Sequence, residues 1–196
     1  VGVFVGVGGS LNANGTPTDY SNDTVENGTL GFGATVTTLT LVSIKDRGAS
    51  ALLTTDDVSY LGVALDDFDG GLVGLEDLLV LQAYDVDAVM NKAAHGDGVT
   101  VPAKLDWSTF TSTGLDISAA QGLLNTTSLG NLTASVDVAI DGGVALNVLS
   151  GVLVAKGDFT IALGQVQSAL LPSGVSADAD AMVLTLSNVG VFVGVG

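Results

Sequence analysis

The octapeptide VGVFVGVG occurs twice, at residues 1–8 and again at 189–196. Its alternation restricts the backbone before any other feature does. Val1, Val3, Val5 and Val7 fall on one side of an extended chain, with Gly2, Phe4, Gly6 and Gly8 on the other, and a period of two is the signature of a strand. The second copy repeats this, with Val189, Val191, Val193 and Val195 opposite Gly190, Phe192, Gly194 and Gly196. Glycine inside a strand ordinarily weakens it. Glycines facing away from a valine row therefore predict that another backbone or layer approaches closely.

Period two recurs along the chain. In LTASVDVAI, Leu132, Ala134, Val136, Val138 and Ile140 oppose Thr133, Ser135, Asp137 and Ala139. Asp141-Gly142-Gly143 then reads as a turn, with strands at 144–148 and 152–163 joined through the Ser150-Gly151 break as antiparallel neighbours. Strands are also expected at 30–44 (one long or two short), 58–65 and 182–195. Two stretches are ambiguous. In 71–94 the leucines stand at near-helical spacing, yet Leu79, Leu81 and Ala83 also fit a strand, and 118–125 could form one or two helical turns. Polar loops are expected at 9–27, 94–98, 108–114 and 172–180. The fold class that follows is mainly β: an elongated antiparallel sheet rolled into a sandwich or flattened barrel, with at most one or two short helices. A β-solenoid is the alternative, although no short rung period is found.

Composition narrows the partners. The 196 residues carry 21 acidic against 5 basic side chains, a formal charge of -16. That field repels phosphate backbones and anionic lipid, so no nucleic-acid partner is expected. No run of about 20 apolar residues is free of charge and glycine, as a spanning helix requires. The aromatic girdles of a membrane barrel would need more than one Trp, three Tyr and six Phe, so no membrane insertion is expected. Cysteine is absent, which excludes disulfides and thiolate metal sites. Without an initiator Met or signal peptide, the sequence reads as the interior of a longer exported chain.

Two identical octapeptides 188 residues apart read most simply as a tandem array. Residues 1–188 would be one module and 189–196 the start of the next. A strand crossing that boundary joins units by ladder hydrogen bonds and leaves no open edge. Val1, Val3, Phe4, Val5, Val7, Val189, Val191, Phe192, Val193 and Val195 are thus the candidate self-association residues, and neighbouring copies of the same repeat the expected partners. SNVGVFVGVG (187–196) continued by GVGGSLNANG (6–15), together with VALNVLSGVLVAKGDFTIALGQV (144–166) and DVSYLGVALDDFDGG (57–71), resembles the long tandem repeats of very large bacterial cell-surface, adhesin-like proteins. The resemblance covers most of the unit in order. It implies an extracellular or cell-surface location, a role as spacer or fibre, and no reaction. In similar repeats the loop after VGVGG carries a more acidic Asp-Asn-Gly-Asp word. Here it reads NANGTPTDYSND, which weakens any case for calcium at that loop.

Calcium is the one cofactor worth weighing, because hard cations take several oxygens from Asp-rich, Gly-bearing loops. Asp66, Asp67 and Asp69, beside Gly70, form the best such cluster. Asn12, Asn14, Asp19, Asn22 and Asp23 form a looser one, and Asp178 with Asp180 a third. None matches an EF-hand, and solvated charge or turn-forming Asp is the plainer reading. His95, the only histidine, lies in AHGDG with no nucleophile-elbow word beside it, and no enzymatic activity is expected. Five Asn-x-Ser/Thr words, at Asn14, Asn22, Asn27, Asn125 and Asn131, could accept glycans. Trp107 reads as a core residue, or as a sugar platform. The expectation is a structural repeat unit of a bacterial fibre, sheath or surface filament, self-associating end to end by strand pairing. The rival is a calcium-stiffened adhesin module binding sugar or another cell surface.

Overall fold

The computed structural model describes residues 1–50, 52–108, 128–166 and 179–194. Among these residues nine strands follow one another: β1 (Gly2–Val7), β2 (Ser10–Asn12), β3 (Thr24–Glu26), β4 (Leu30–Asp46), β5 (Val58–Val73), β6 (Leu79–His95), β7 (Val136–Val148), β8 (Leu153–Val166) and β9 (Ala179–Val193). Short 3-10 turns at Tyr20–Asn22 and Ser128–Asn131 are the helical elements among the described residues. β2 and β3 pair with each other, and the other seven strands form one sheet in the order β1-β4-β5-β6-β7-β8-β9. Every pairing is antiparallel. The protein is mainly β, as the alternation predicts, and the large sheet is not closed into a barrel. β1 is one edge and β9 the other.

From β4 to β9 each strand pairs with the next long strand in sequence, the order of a meander. The β7–β8 turn places Leu149 and Ser150 in the left-handed region (φ 52 and 50) before Gly151, a geometry whose twist suits two-residue hairpins. The expected break at Ser150-Gly151 is therefore a turn. Asp141-Gly142-Gly143 is not. It lies inside β7, and its glycines serve packing: a Cβ on Gly143 would stand 2.1 Å from Cζ of Tyr84, and one on Gly142 2.7 Å from Cγ2 of Val86. β7 starts at Val136, and Leu132 instead joins a buried cluster. The 9–27 segment, expected as a loop, contains β2 and β3. The helical reading of 118–125 lies outside the described residues.

The ambiguous 71–94 stretch is strand on both sides of a tight turn. Asp85 takes a left-handed conformation in mid-β6 (φ 50), and the β6–β7 register slips between Tyr84 and Asp87. Leu81 pairs with Leu146 and Ala88 with Ile140, positions six apart on an unbroken stretch of the β7–β8 ladder. The apolar face of β6 thus runs Leu79, Leu81, Ala83 and resumes at Val86, Ala88, Met90. The extra residue of a bulge makes a step of three in that face; the near-helical spacing of Leu72, Leu75 and Leu78 comes instead from the end of β5 and the turn into β6, where alternation stops.

The sheet has two chemically distinct faces. Across six strands, Leu184, Ile161, Ile140, Ala88, Leu65 and Leu39 form a row of direct cross-strand partners. On the opposite face a row crosses all seven, from Phe4 through Gly33, Gly71, Gln82, Ala145 and Lys156 to Gly190. On this second face the predicted close approach occurs. The β2–β3 hairpin lies over β1 and β4, with Cβ of Val25 3.2 Å from where a Gly2 Cβ would stand and Oδ1 of Asn27 2.4 Å from that of Gly33. Farther along the same face, Ala64, Trp107, Leu129 and Leu132 form the buried core. Gly62 makes room for it, since a Cβ there would meet Trp107 and Leu129 at 2.8 and 2.9 Å. Asn91, itself buried, accepts the Trp107 indole N–H (3.0 Å) and donates to the carbonyls of Leu105 and Thr133 (2.8 and 3.0 Å). Every polar group brought into this core by the side chains of Trp107 and Asn91 has a partner, which is what makes their burial affordable.

Candidate interaction edges

The two copies of the octapeptide occupy the two edges of the sheet. In an antiparallel strand, successive residues turn their N–H and C=O alternately to one side and the other. In the first copy the odd positions turn toward β4: Val36 N–H donates to the Val1 carbonyl (2.7 Å), and Thr29 N–H to that of Val7 (2.8 Å). In the second copy the even positions turn inward: Gly194 N–H donates to the Val152 carbonyl (2.9 Å), in register with Phe192 opposite Val154 and Gly190 opposite Lys156. One amino-acid sequence thus pairs through one of its sides in β1 and through the other in β9.

The side chains differ as well. The Phe4 ring lies across a seat cleared by glycines. Cβ atoms on Gly6, Gly31 or Gly9 would stand 2.7, 2.8 and 2.3 Å from it. An aromatic ring laid over strand glycines offsets their missing side chains. Among the described glycines Phe192 covers only its own strand's Gly194, where a Cβ would be 3.0 Å from the ring, and it is 52% exposed. A Cβ on Gly190 would meet nothing within 4 Å. Around them Val189, Val191 and Val193 are exposed, as are Val1, Val3, Val5 and Val7 on β1. Val195 lies outside the described residues.

Beyond the octapeptides, the two edge regions are also unlike. β4 runs to Asp46, but β1 accompanies it only to Val36. Among the described residues no strand pairs with residues 37–46 on the side away from β5. Leu39 and Leu41 there are 59% and 64% exposed. On β9, residues 179–188 pair with β8 on one side and, among the described residues, with no strand on the other, and Leu184 and Leu186 are 55% and 63% exposed. Long apolar open edges are unusual in proteins that stay monomeric.

A band of bulges crosses the sheet where carboxylates gather. Asp67 and Asp85 are left-handed (φ 51 and 50). Asp67 N–H donates to Asp87 (2.8 Å), and Asp85 N–H to Asp69 (3.1 Å). Asp66, Asp67 and Asp69, the sequence's calcium candidates, therefore sit at a strand irregularity on β5, and Asp69 holds a backbone N–H. Among the described residues no group of three or more His, Cys, Asp or Glu side chains is arranged to share a metal ion. Burial, then the neighbouring Asp87 charge, raises the Asp141 carboxyl above its ordinary value. At the β9 bulge, Asn188 is left-handed (φ 52) and its amide donates to Oδ2 of Asp158 (2.6 Å), whose Oδ1 accepts the Tyr84 hydroxyl (3.3 Å). Lys156 stands 5.1 Å over the Tyr84 ring.

The other singled-out residues have structural tasks. In the 12–23 loop, Asn14 donates to the Asn22 carbonyl, Thr16 bonds the Asn22 side chain, and Asp19 caps the 3-10 turn through Ser21. His95 faces Asp97 at 3.1 Å in the turn after β6. The Thr100 hydroxyl, then the Val99 and Thr100 N–H groups, hold the Asp97 carboxyl far below its ordinary value. Trp107 is 3% exposed, so its ring offers no face to a sugar. Reading the sequence did not pick out Gly9 and Gly31, which seat Phe4, nor the β4 edge leucines. Gly31 opens the word GFG at 31–33, and only the register to β1 gives it meaning. Compared with known proteins, the chain matches no family model, no curated protein and no solved structure.

Proposed function

We propose that this chain is a structural repeat unit, and that copies join into a fibre by sharing the octapeptide strand. The observation that carries the reading is the opposite hydrogen-bonding sides of β1 and β9. A single VGVFVGVG strand has both sides. Its even residues can hold β8 of one copy while its odd residues hold β4 of the next. Sheet direction supports the same reading. Six antiparallel steps separate β1 from β9, so the two edge strands run the same way. Two copies laid edge to edge would put β9 beside a parallel β1. Merging the two into one strand keeps the alternation intact. The second copy's Phe192 then gains the glycine seat that Gly31 and Gly9 of the following copy provide. The bacterial cell surface, suggested by the sequence resemblance, is the setting such a fibre suits. The high negative charge keeps an aliphatic sheet in solution.

The test uses Val191→Pro. The Val191 N–H points away from β8, so proline there removes a donor from the outer edge and leaves β8 pairing in place. In concentrated solution the unaltered chain forms linear oligomers, the second copy of one molecule replacing the first copy of another on β4. The proline variant folds, by circular dichroism, and sediments as a monomer. A chain that stays monomeric at every concentration, or a variant that oligomerises equally well, overturns the reading.

A further inference from the structure

The octapeptide accounts for only part of each edge. We infer that the rest of β9, residues 179–188, is the missing partner of β4 residues 37–46 in the following copy, so that one 17-residue strand lies along the whole of β4. This extends the strand-sharing reading above and rests on it.

Three independent features agree on this partner. The first is length. β9 begins at Ala179 and the second octapeptide at Val189, leaving ten residues; β4 continues past Val36 to Asp46, also ten. The second is facing. Val189 is the counterpart of Val1, which pairs with Val36. Carrying that register upstream sets Leu186 opposite Leu39 and Leu184 opposite Leu41. Directly opposed residues must share a face of the sheet, and the row from Leu184 to Leu39 through five direct cross-strand pairs places them on one face. A slip by one residue would set Leu186 and Leu184 against Thr38 and Thr40, whose side chains take the opposite face, the one that carries Val42, Ile44 and the buried core. The third is side-chain chemistry. The same register sets Thr185 beside Thr40, Val183 beside Val42 and Asp180 beside Lys45, pairs that each favour adjacency. Lys45 already meets Asp57 at 2.7 Å but keeps 54% of its side chain exposed.

The register also fixes how copies advance. Each contributes the six strands β4 to β9, the last continuing as β1 of the next. At about 4.8 Å per strand this is an axial rise of roughly 29 Å per copy. The row from Phe4 ends at Gly190, the counterpart of Gly2, so each copy is offset along the strands by two residues, about 7 Å.

The chain has no cysteine, so introduced thiols report unambiguously. Leu39 and Leu186 stand on different edge regions of one molecule, and a disulfide between them forms only between molecules. A chain carrying Leu39→Cys is mixed with one carrying Leu186→Cys and oxidised. The expected product is a mixed disulfide dimer in high yield. The mixture of Thr40→Cys with Leu186→Cys, whose side chains point to opposite faces, gives under a tenth as much. Sedimentation of each reduced mixture runs in parallel. If the molecules associate but Thr40→Cys cross-links as well as or better than Leu39→Cys, the register is wrong while octapeptide sharing stands. If they do not associate at all, both fall.

Discussion

The two VGVFVGVG segments are the same eight residues in unequal surroundings. The first is paired through its odd residues, overlain by the β2–β3 hairpin at Gly2, and has its phenylalanine seated on glycines of β1 and β4. The second is paired through its even residues, with an exposed phenylalanine and a Gly190 that faces open space. The difference is the one that the proposed strand sharing requires, with one sequence serving two neighbours at once. Valines on one face and glycines on the other suit a strand whose two edges are both used. Either copy alone leaves half of that design idle.

Matched substitutions turn this into measurement, and the largest effect is at the glycines. A Cβ on Gly6 would stand 2.2 Å from the Leu30 carbonyl oxygen and 2.7 Å from Cα of Gly31, backbone atoms that cannot step aside. Gly6→Ala should cost about 2–4 kcal/mol in urea denaturation, as backbone collisions in a packed ladder do. Gly194→Ala, at the equivalent position of the second copy, would meet only the exposed Phe192 ring at 3.0 Å, a side chain that can turn away, and should cost less than about 1 kcal/mol. Equal costs would mean that the two copies share one environment and would break the comparison. The effect at the seam is smaller. Asn188→Ala removes the amide bond to Asp158 and leaves a left-handed alanine, a loss of about 1–2 kcal/mol. Asn188→Gly, tolerant of that conformation, should recover part of it in the same assay. Full recovery would assign the whole cost to the backbone and none to Asp158.

The smallest effect concerns pH. Asp141 has a folded pKa above its ordinary 3.8. Its ionisation therefore opposes folding above that raised value, and the penalty fades as pH falls toward 3.8 and is absent below it. Asp141→Asn should raise the melting temperature slightly at pH 7 and leave it unchanged at pH 3. A rise of the same size at both values would trace the gain to something other than charge. Because Asp141 lies in mid-sheet, the variant should leave the contrast between the two octapeptides intact.

Much of the fold was legible. Alternation marked β4, β5, β8 and β9, the Ser150-Gly151 break marked the turn between β7 and β8, and the polar 94–98 stretch marked the end of β6. Misreadings gathered where glycine or aspartate interrupts a strand without ending it. Asp141-Gly142-Gly143 looks like a turn because glycine's commonest use is conformational, but here it makes space for Tyr84 and Val86. The leucines of the 71–94 stretch looked helical because Leu72, Leu75 and Leu78 straddle the end of β5 and the turn into β6, and the bulge at Asp85 then breaks the alternation a second time. The candidate edge was half legible: the octapeptides were visible as strings, while their opposite pairing sides, and the leucines of β4 that extend the edge, depend on register. Register comes from partners far away in sequence, and no local pattern encodes it.

Seven strands in strict alternation leave the first and last pointing alike. A ribbon grown from such units has an arrow. One terminus presents a β4 awaiting a strand, the other a β9 awaiting a sheet, and no rotation exchanges them. Growth at the two tips would then proceed by different encounters and at different speeds, and a plug that fits one would leave the other untouched.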